Sequence, residues 1–110
     1  MPEPVPSLVK GTLDLLILRT LELQALHGAA IADRIFQTTR GAFQIKAGSL
    51  FPALHRLEQD GWITGAWELP TGGHRVKSYT LTRAGRRHLT AERATWQRVV
   101  SAMSLVLDSE

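Results

Sequence analysis

Four polar side chains crowd one short stretch of the 110-residue chain: Lys46, Ser49, His55 and Arg56. Their chemistry suits holding an anion. A hydroxyl and an ammonium near a helix N-terminus can reach phosphate oxygens, because the helix dipole already favours negative charge there. Arg56 can pair bidentately with guanine or with a phosphate, and His55 can do either more weakly. The competing reading of Arg56 is a surface ion pair with Asp60, four residues on. A second cluster, His74, Arg75 and Lys77, follows Gly72-Gly73. Glycines let the backbone approach closely, and cations at such a tip suit a phosphate strip or a narrow minor groove. The ordinary alternative is a soluble turn whose lysine blocks edge aggregation.

Bond-making chemistry is poorly supplied. Cysteine is absent, which excludes disulfides, thiol catalysis and Cys-ligated metals. His27, His55, His74 and His88 share no i, i+4 spacing, so no helical metal pair is offered. Carboxylates are few and scattered, and no nucleophile elbow or phosphate loop occurs. The expectation is a non-enzyme with no cofactor and no metal.

Three helices and a hairpin are predicted to position the two polar clusters. Residues 1–7 hold three prolines and read as a flexible arm. Leu13 to Leu26 has a helical period, with Thr12 as its N-cap and Gly28 as its left-handed C-terminal residue. Leu13, Leu16, Ile17 and Leu21 form one stripe; Leu15, Leu18, Leu23 and Leu26 form another. A helix apolar on two sides has two neighbours, one of which can belong to a second chain. Residues 29–39 give a second helix closed by Gly41, and 43–45 read as a short strand. Residues 47–59 give a third helix. Leu50, Leu54 and Leu57 face its core, while Ser49, Pro52, Ala53, His55 and Arg56 face outward. Residues 62–69 and 75–82 are β-rich and flank a Pro-Thr-Gly-Gly turn, a hairpin signature in which Trp62 and Trp67 read as packing residues. Tyr79 is expected to turn its ring inward and its hydroxyl outward.

Thr82 then caps a last helix. Leu89, Trp96 and Met103 recur every seven residues, Val99 and Val106 fall three after members of that set, and Val100 and Leu107 widen the line. This is a coiled-coil seam, dry from about Trp96 onward because Glu92 interrupts its start. It predicts contact with another copy. Trp96 is expected to anchor that contact, or to stack on a planar ligand there.

Helix, helix, helix, hairpin, helix is the order of a winged helix-turn-helix domain with a helix appended. The expected fold is mainly α with a small β-hairpin wing: DNA-binding domain at 8–82, dimerisation helix at 83–110. In such motifs the later helix enters the major groove, here residues 47–59. Composition agrees: 44% apolar and 21% charged residues suit one globular domain. The charge is uneven, with residues 34–98 at net +7 between segments at −2 each, as befits a surface facing a polyanion. No apolar run approaches the roughly 20 residues of a membrane span, and no secretory signal is visible, so a cytoplasmic location is expected.

The stretch GSLFPALHRLEQDGWI (48–63) followed by KSYTLTRAG (77–85), with Gly11-Thr12-Leu13 and His27-Gly28 upstream, resembles the PadR family of bacterial transcriptional regulators. The resemblance spans roughly residues 8–108. It implies a dimeric winged-helix repressor whose C-terminal helix packs on the partner's first helix, in the family's compact branch with a single C-terminal helix. It also implies effectors that are small aromatic or hydrophobic molecules. Phe51 stands where that family usually has tyrosine, and so lacks a phenol that could bond a phosphate.

The combined expectation is a homodimeric repressor on a palindromic operator, its two reading helices one duplex turn, about 34 Å, apart. DNA would be contacted by Lys46, Ser49, Phe51, Pro52, His55, Arg56, His74, Arg75 and Lys77, with Lys10 as a further phosphate contact. Leu15, Leu18, Leu89, Trp96, Val99, Val100 and Met103 would line the dimer or effector surface, and an effector would act by changing the spacing of the reading heads. The rival reading is a winged-helix module for protein–protein assembly that binds no DNA. A third is a dimer that only sequesters a small molecule.

Overall fold

Four apolar side chains decide where α3 (Ala47–Gln59) lies. Leu50, Ala53, Leu54 and Leu57 recur at three- and four-residue spacing, fall on one face, and are all buried. The third helix therefore has its expected bounds, except that Ala53 turns into the core instead of outward. Pro52 sits one turn deeper than the free N–H groups of the N-terminus, and the carbonyl four residues before it belongs to the exposed Gly48.

The computed structural model describes residues 11–69 and 72–110 and packs the other elements around that face. The expected arm at 1–7, Lys10 and the Pro70-Thr71 half of the turn lie outside the described residues. From α1 (Thr12–Leu23) come Ile17, Leu18 and Leu21; from α2 (Gly28–Thr38) come Ile31 and Ile35. Strands β2 (Ile63–Glu68) and β3 (Val76–Leu81) add Ile63, Tyr79 and Leu81, and α4 (Arg83–Leu107) adds Leu89. Burying a side chain of this size stabilises by about 1.5–3 kcal/mol.

Four local expectations are corrected. The first helix does not run to Leu26; it stops at Leu23, and Leu26–His27 form a short strand, β1. Pairing with β3, Leu26 to Tyr79 and His27 to Ser78, outweighs the helical period of the leucines. Gly28 is therefore not a left-handed terminus but the first residue of α2, and it is small for a packing reason. A Cβ there would lie 2.8 Å from the Phe51 ring. Thr12 is not a cap either: Gly11 occupies that place at φ 90°, and the Thr12 hydroxyl is buried with no partner among the described residues. Residues 43–45 are irregular rather than a strand, with the Phe43 N–H donating to Thr39 Oγ1 at 3.1 Å.

The hairpin is as read from the sequence, but the sheet has three antiparallel strands in the order β1-β3-β2. Its register pairs Ile63 with Leu81, Gly65 with Tyr79 and Trp67 with Lys77, so these six share the face that covers the core. Tyr79 is buried, and burial raises its phenol above the ordinary value. Thr82 caps α4 as expected, accepting from the Gly85 N–H at 2.9 Å. The Trp62 indole stacks on His88, ring centroids 4.1 Å apart, and ties α4 to the base of the wing. From Thr90 onward every residue of α4 is exposed, and the molecule is drawn out to 60 Å in its longest dimension.

Candidate nucleic-acid interface

With its leucines turned in, α3 presents Lys46, Ser49, Pro52, His55 and Arg56 to solvent. Among the described residues no side chain caps its N-terminus, and no acidic residue stands in its first turn. The positive end of the helix dipole and the Lys46 ammonium thus face outward together, a favourable setting for an anion. Phe51 is 48% exposed beside them, one ring edge against Gly28. Arg56 does not pair with Asp60. Its guanidinium meets Asp14 of α1. Both side chains are partly exposed, and such a pair is worth about 1 kcal/mol at most, so Arg56 can exchange this carboxylate for another anion.

The wing brings the second cluster to the same side. Phe51 and His55 of α3, Trp67, Arg75 and Lys77 of the hairpin, and Tyr79 beneath them border one open cleft of about 460 Å³. His74 and Arg75 are exposed at the tip. The Arg75 guanidinium lies over the Trp67 ring, 4.9 Å from its centroid, which limits the orientations that long side chain samples.

Lys77 departs from its expected role as a free phosphate contact. Its Nζ donates to Glu58 Oε1 at 2.8 Å, and Glu58 Oε2 accepts from the Gly65 N–H at 3.2 Å. The Lys77 ammonium holds the Glu58 carboxyl below the usual carboxylate value, with partial burial opposing and the Gly65 bond assisting. Glu58 in turn raises Lys77 above the ordinary lysine value. Glu58 is a site residue that the sequence reading did not single out among its few scattered carboxylates. The available signal was its place beside Leu54 and Leu57 on a helix otherwise turned toward anions, with a lysine on the neighbouring strand. Trp67, read as packing, is 59% exposed.

The residues expected to line a dimer or effector surface divide into two groups. Leu18 and Leu89 are buried inside this chain's own core, so they are not surface for a second copy. The second neighbour of α1 is largely the start of α4 in the same chain. Leu15 is half-buried against that core. Trp96, Val99, Val100 and Met103 are the opposite case: exposed, with Met103 at 56%, and continued by exposed Val106 and Leu107. No helix among the described residues is long and apolar enough to cross a membrane.

Known proteins share both the sequence pattern and this geometry. The sequence profile of the transcriptional regulator PadR-like family matches residues 17–91. A transcriptional regulator of Mycobacterium tuberculosis is 35% identical over 68 residues, covering 62% of this chain and 60% of that protein. The crystal structure of a PadR family transcriptional regulator from Eggerthella lenta superposes with a TM-score of 0.82 at 27% identity, covering 94% of this chain and 88% of the other. A transcriptional regulator from Clostridium thermocellum has the same fold, with a TM-score of 0.83 at 24% identity over 91% of this chain and 94% of that one.

Proposed function

The chain belongs to the PadR-like family of transcriptional regulators, and is a regulator rather than an enzyme; from that premise we propose that it is a homodimeric repressor that reads a palindromic operator with α3. The observation that carries this reading is the uncovered outer face of α3, Lys46 through Arg56, beside a wing tip bearing His74 and Arg75. Ser49, His55 and Arg56 address base edges, with Pro52 and Phe51 as their apolar neighbours. Lys46 and Arg75 hold phosphates and supply most of the affinity. The protein acts in the cytoplasm, where bacterial DNA lies.

The exposed stripe of α4 supports the dimer. Its apolar side chains Trp96, Val99, Val100, Met103, Val106 and Leu107 face water in the single chain, with Leu105 beside them, and a second copy would cover them. Head and helix thus divide the labour near residue 82, although Gly85 and Leu89 remain part of the head's core. Two heads joined through rigid helices would stand about 34 Å apart, one turn of duplex. A small hydrophobic or aromatic effector seated against Trp96 would alter that spacing and so the affinity.

Selection from random oligonucleotides followed by retardation over a salt series tests the DNA reading. A specific duplex is expected, with affinity that falls steeply with salt, by about 0.9 in log–log slope per phosphate neutralised. Arg56→Ala and Arg75→Ala are expected to abolish retardation and leave the dimer intact. Unchanged binding by both would move the reading face elsewhere. A dimer with no duplex affinity would favour the protein-assembly module instead.

A further inference from the structure

Glu58 is a polar joint between the reading helix and the wing. One carboxylate oxygen meets the β3 side chain of Lys77, and the other meets the β2 backbone at Gly65, so a single side chain of α3 holds both strands. The joint is closely fitted. A Cβ at position 65 would stand 2.4 Å from Lys77 Cε and 3.2 Å from Glu58 Oε2, so a larger residue there would push the lysine stem aside. Less than a third of either side chain is exposed, 27% for Lys77 and 29% for Glu58, so water and salt screen the pair less than an open surface pair. The contacts continue outward. Lys77 Nζ lies 5.8 Å from the centroid of the Trp67 ring, and the same ring carries Arg75. A continuous series of contacts therefore runs from Glu58 of α3 through Lys77 and Trp67 to the exposed cation at the wing tip.

Resting on the DNA-reading function proposed above, we infer that Glu58 is a positioning residue: through Lys77 and Gly65 it sets the wing against α3, and through Trp67 it sets where Arg75 points, while neither Glu58 nor Lys77 touches the duplex. The physical reason is the balance of charge. Lys77 already has a carboxylate partner at hydrogen-bond distance, so a phosphate would have to break that contact first. Arg75, over the ring and beside no acid among the described residues, keeps its charge available to DNA.

The test uses the full chain and its selected duplex, with binding measured over a salt series. Glu58→Gln removes a negative charge near DNA. A merely solvated pair predicts tighter binding, whereas the joint predicts binding about tenfold weaker or more. Lys77→Met removes a positive charge. A phosphate contact predicts a log–log salt slope shallower by about 0.9, whereas the joint predicts weaker binding with the slope unchanged. Gly65→Ala alters no charge yet displaces Lys77, and should weaken binding as Lys77→Met does. Tighter binding by Glu58→Gln, or a shallower slope for Lys77→Met, overturns the inference. The indole N–H resonance of Trp67, assigned with Trp67→Phe, reads the joint without DNA. It should move in Glu58→Gln and Gly65→Ala while those of Trp62 and Trp96 stay in place. An unmoved Trp67 signal, or global unfolding of both variants, also overturns it. A wild-type chain that retains no duplex sinks the DNA reading instead, and the indole result then still reports whether the joint exists.

Discussion

Two apolar stripes in this molecule have nearly the same spacing and opposite fates. On α3, Leu50, Leu54 and Leu57 are buried by helices and strands of the same chain. On the outer half of α4, Trp96, Val99, Val100 and Met103 meet water. The difference is one of neighbours. Residues 47–59 are flanked by loops short enough to fold α2 and β2 back over them, whereas α4 runs straight past the last element that could cover it. A period of three and four says that a helix has an apolar face; it does not say whose surface that face will meet.

The sharpest way to break the comparison is to damage each stripe and ask which kind of stability falls. Leu54→Ala leaves a cavity in a fully enclosed core and should cost about 2–5 kcal/mol. The melting temperature should drop by about 8 °C or more, and duplex binding should go with it. A smaller loss would mean that the head closes over the gap. Trp96→Ala should behave differently. Self-association, followed by sedimentation, is expected to weaken by about 2 kcal/mol or more, roughly thirtyfold, as for an aromatic interface anchor. The melting of a dilute sample should change little. Loss of stability independent of protein concentration would place Trp96 with the core rather than the interface.

A finer distinction lies in pH, because the head contains a shifted ion pair, Glu58 with Lys77. The Glu58 carboxyl is held below its unfolded value of 4.5, so the stability it contributes is present above that value and is lost as pH falls through the folded one. Wild type should therefore lose melting temperature more steeply than Glu58→Gln below about pH 4.5. At the alkaline end Lys77 is raised above 10.5, so its contribution persists up to that pH and fades beyond it. The buried Tyr79 phenol is also raised, so the unfolded chain ionises first above pH 10.0 and stability falls there as well. Parallel acid limbs for wild type and Glu58→Gln would remove the ion pair from this account. The smallest effect is expected at Asp14→Ala, which frees Arg56. Thermal stability should change by about 1 kcal/mol or less, and duplex affinity should hold or rise slightly.

Much of the candidate interface was legible because it depends on local pattern. The bounds of α3, the hairpin, the Thr82 cap and the polar outer positions of α3 all follow from spacing and turn chemistry within a dozen residues. The misreadings share one cause. Leu26 and His27 look helical until β3 offers them hydrogen bonds. Ala53 is small enough to fit either face of α3. Leu18 and Leu89 look like seam residues until α1 and the start of α4 are seen to pack on each other. Lys77 looks like a free cation until Glu58, nineteen residues earlier, is found against it.

The amino-acid sequence by itself determined the four helices and the hairpin to within a few residues, which faces are apolar, and that the middle of the chain carries the positive charge. Those properties arise from neighbours one to four residues away, and the backbone period transmits them directly. Tertiary structure alone decided which apolar faces are consumed inside the chain, that Gly28 and Gly65 make room for a ring and a lysine stem, and which cations keep their charge free. Such outcomes depend on contacts between residues far apart in the chain, where a difference of one partner reverses the role of a side chain.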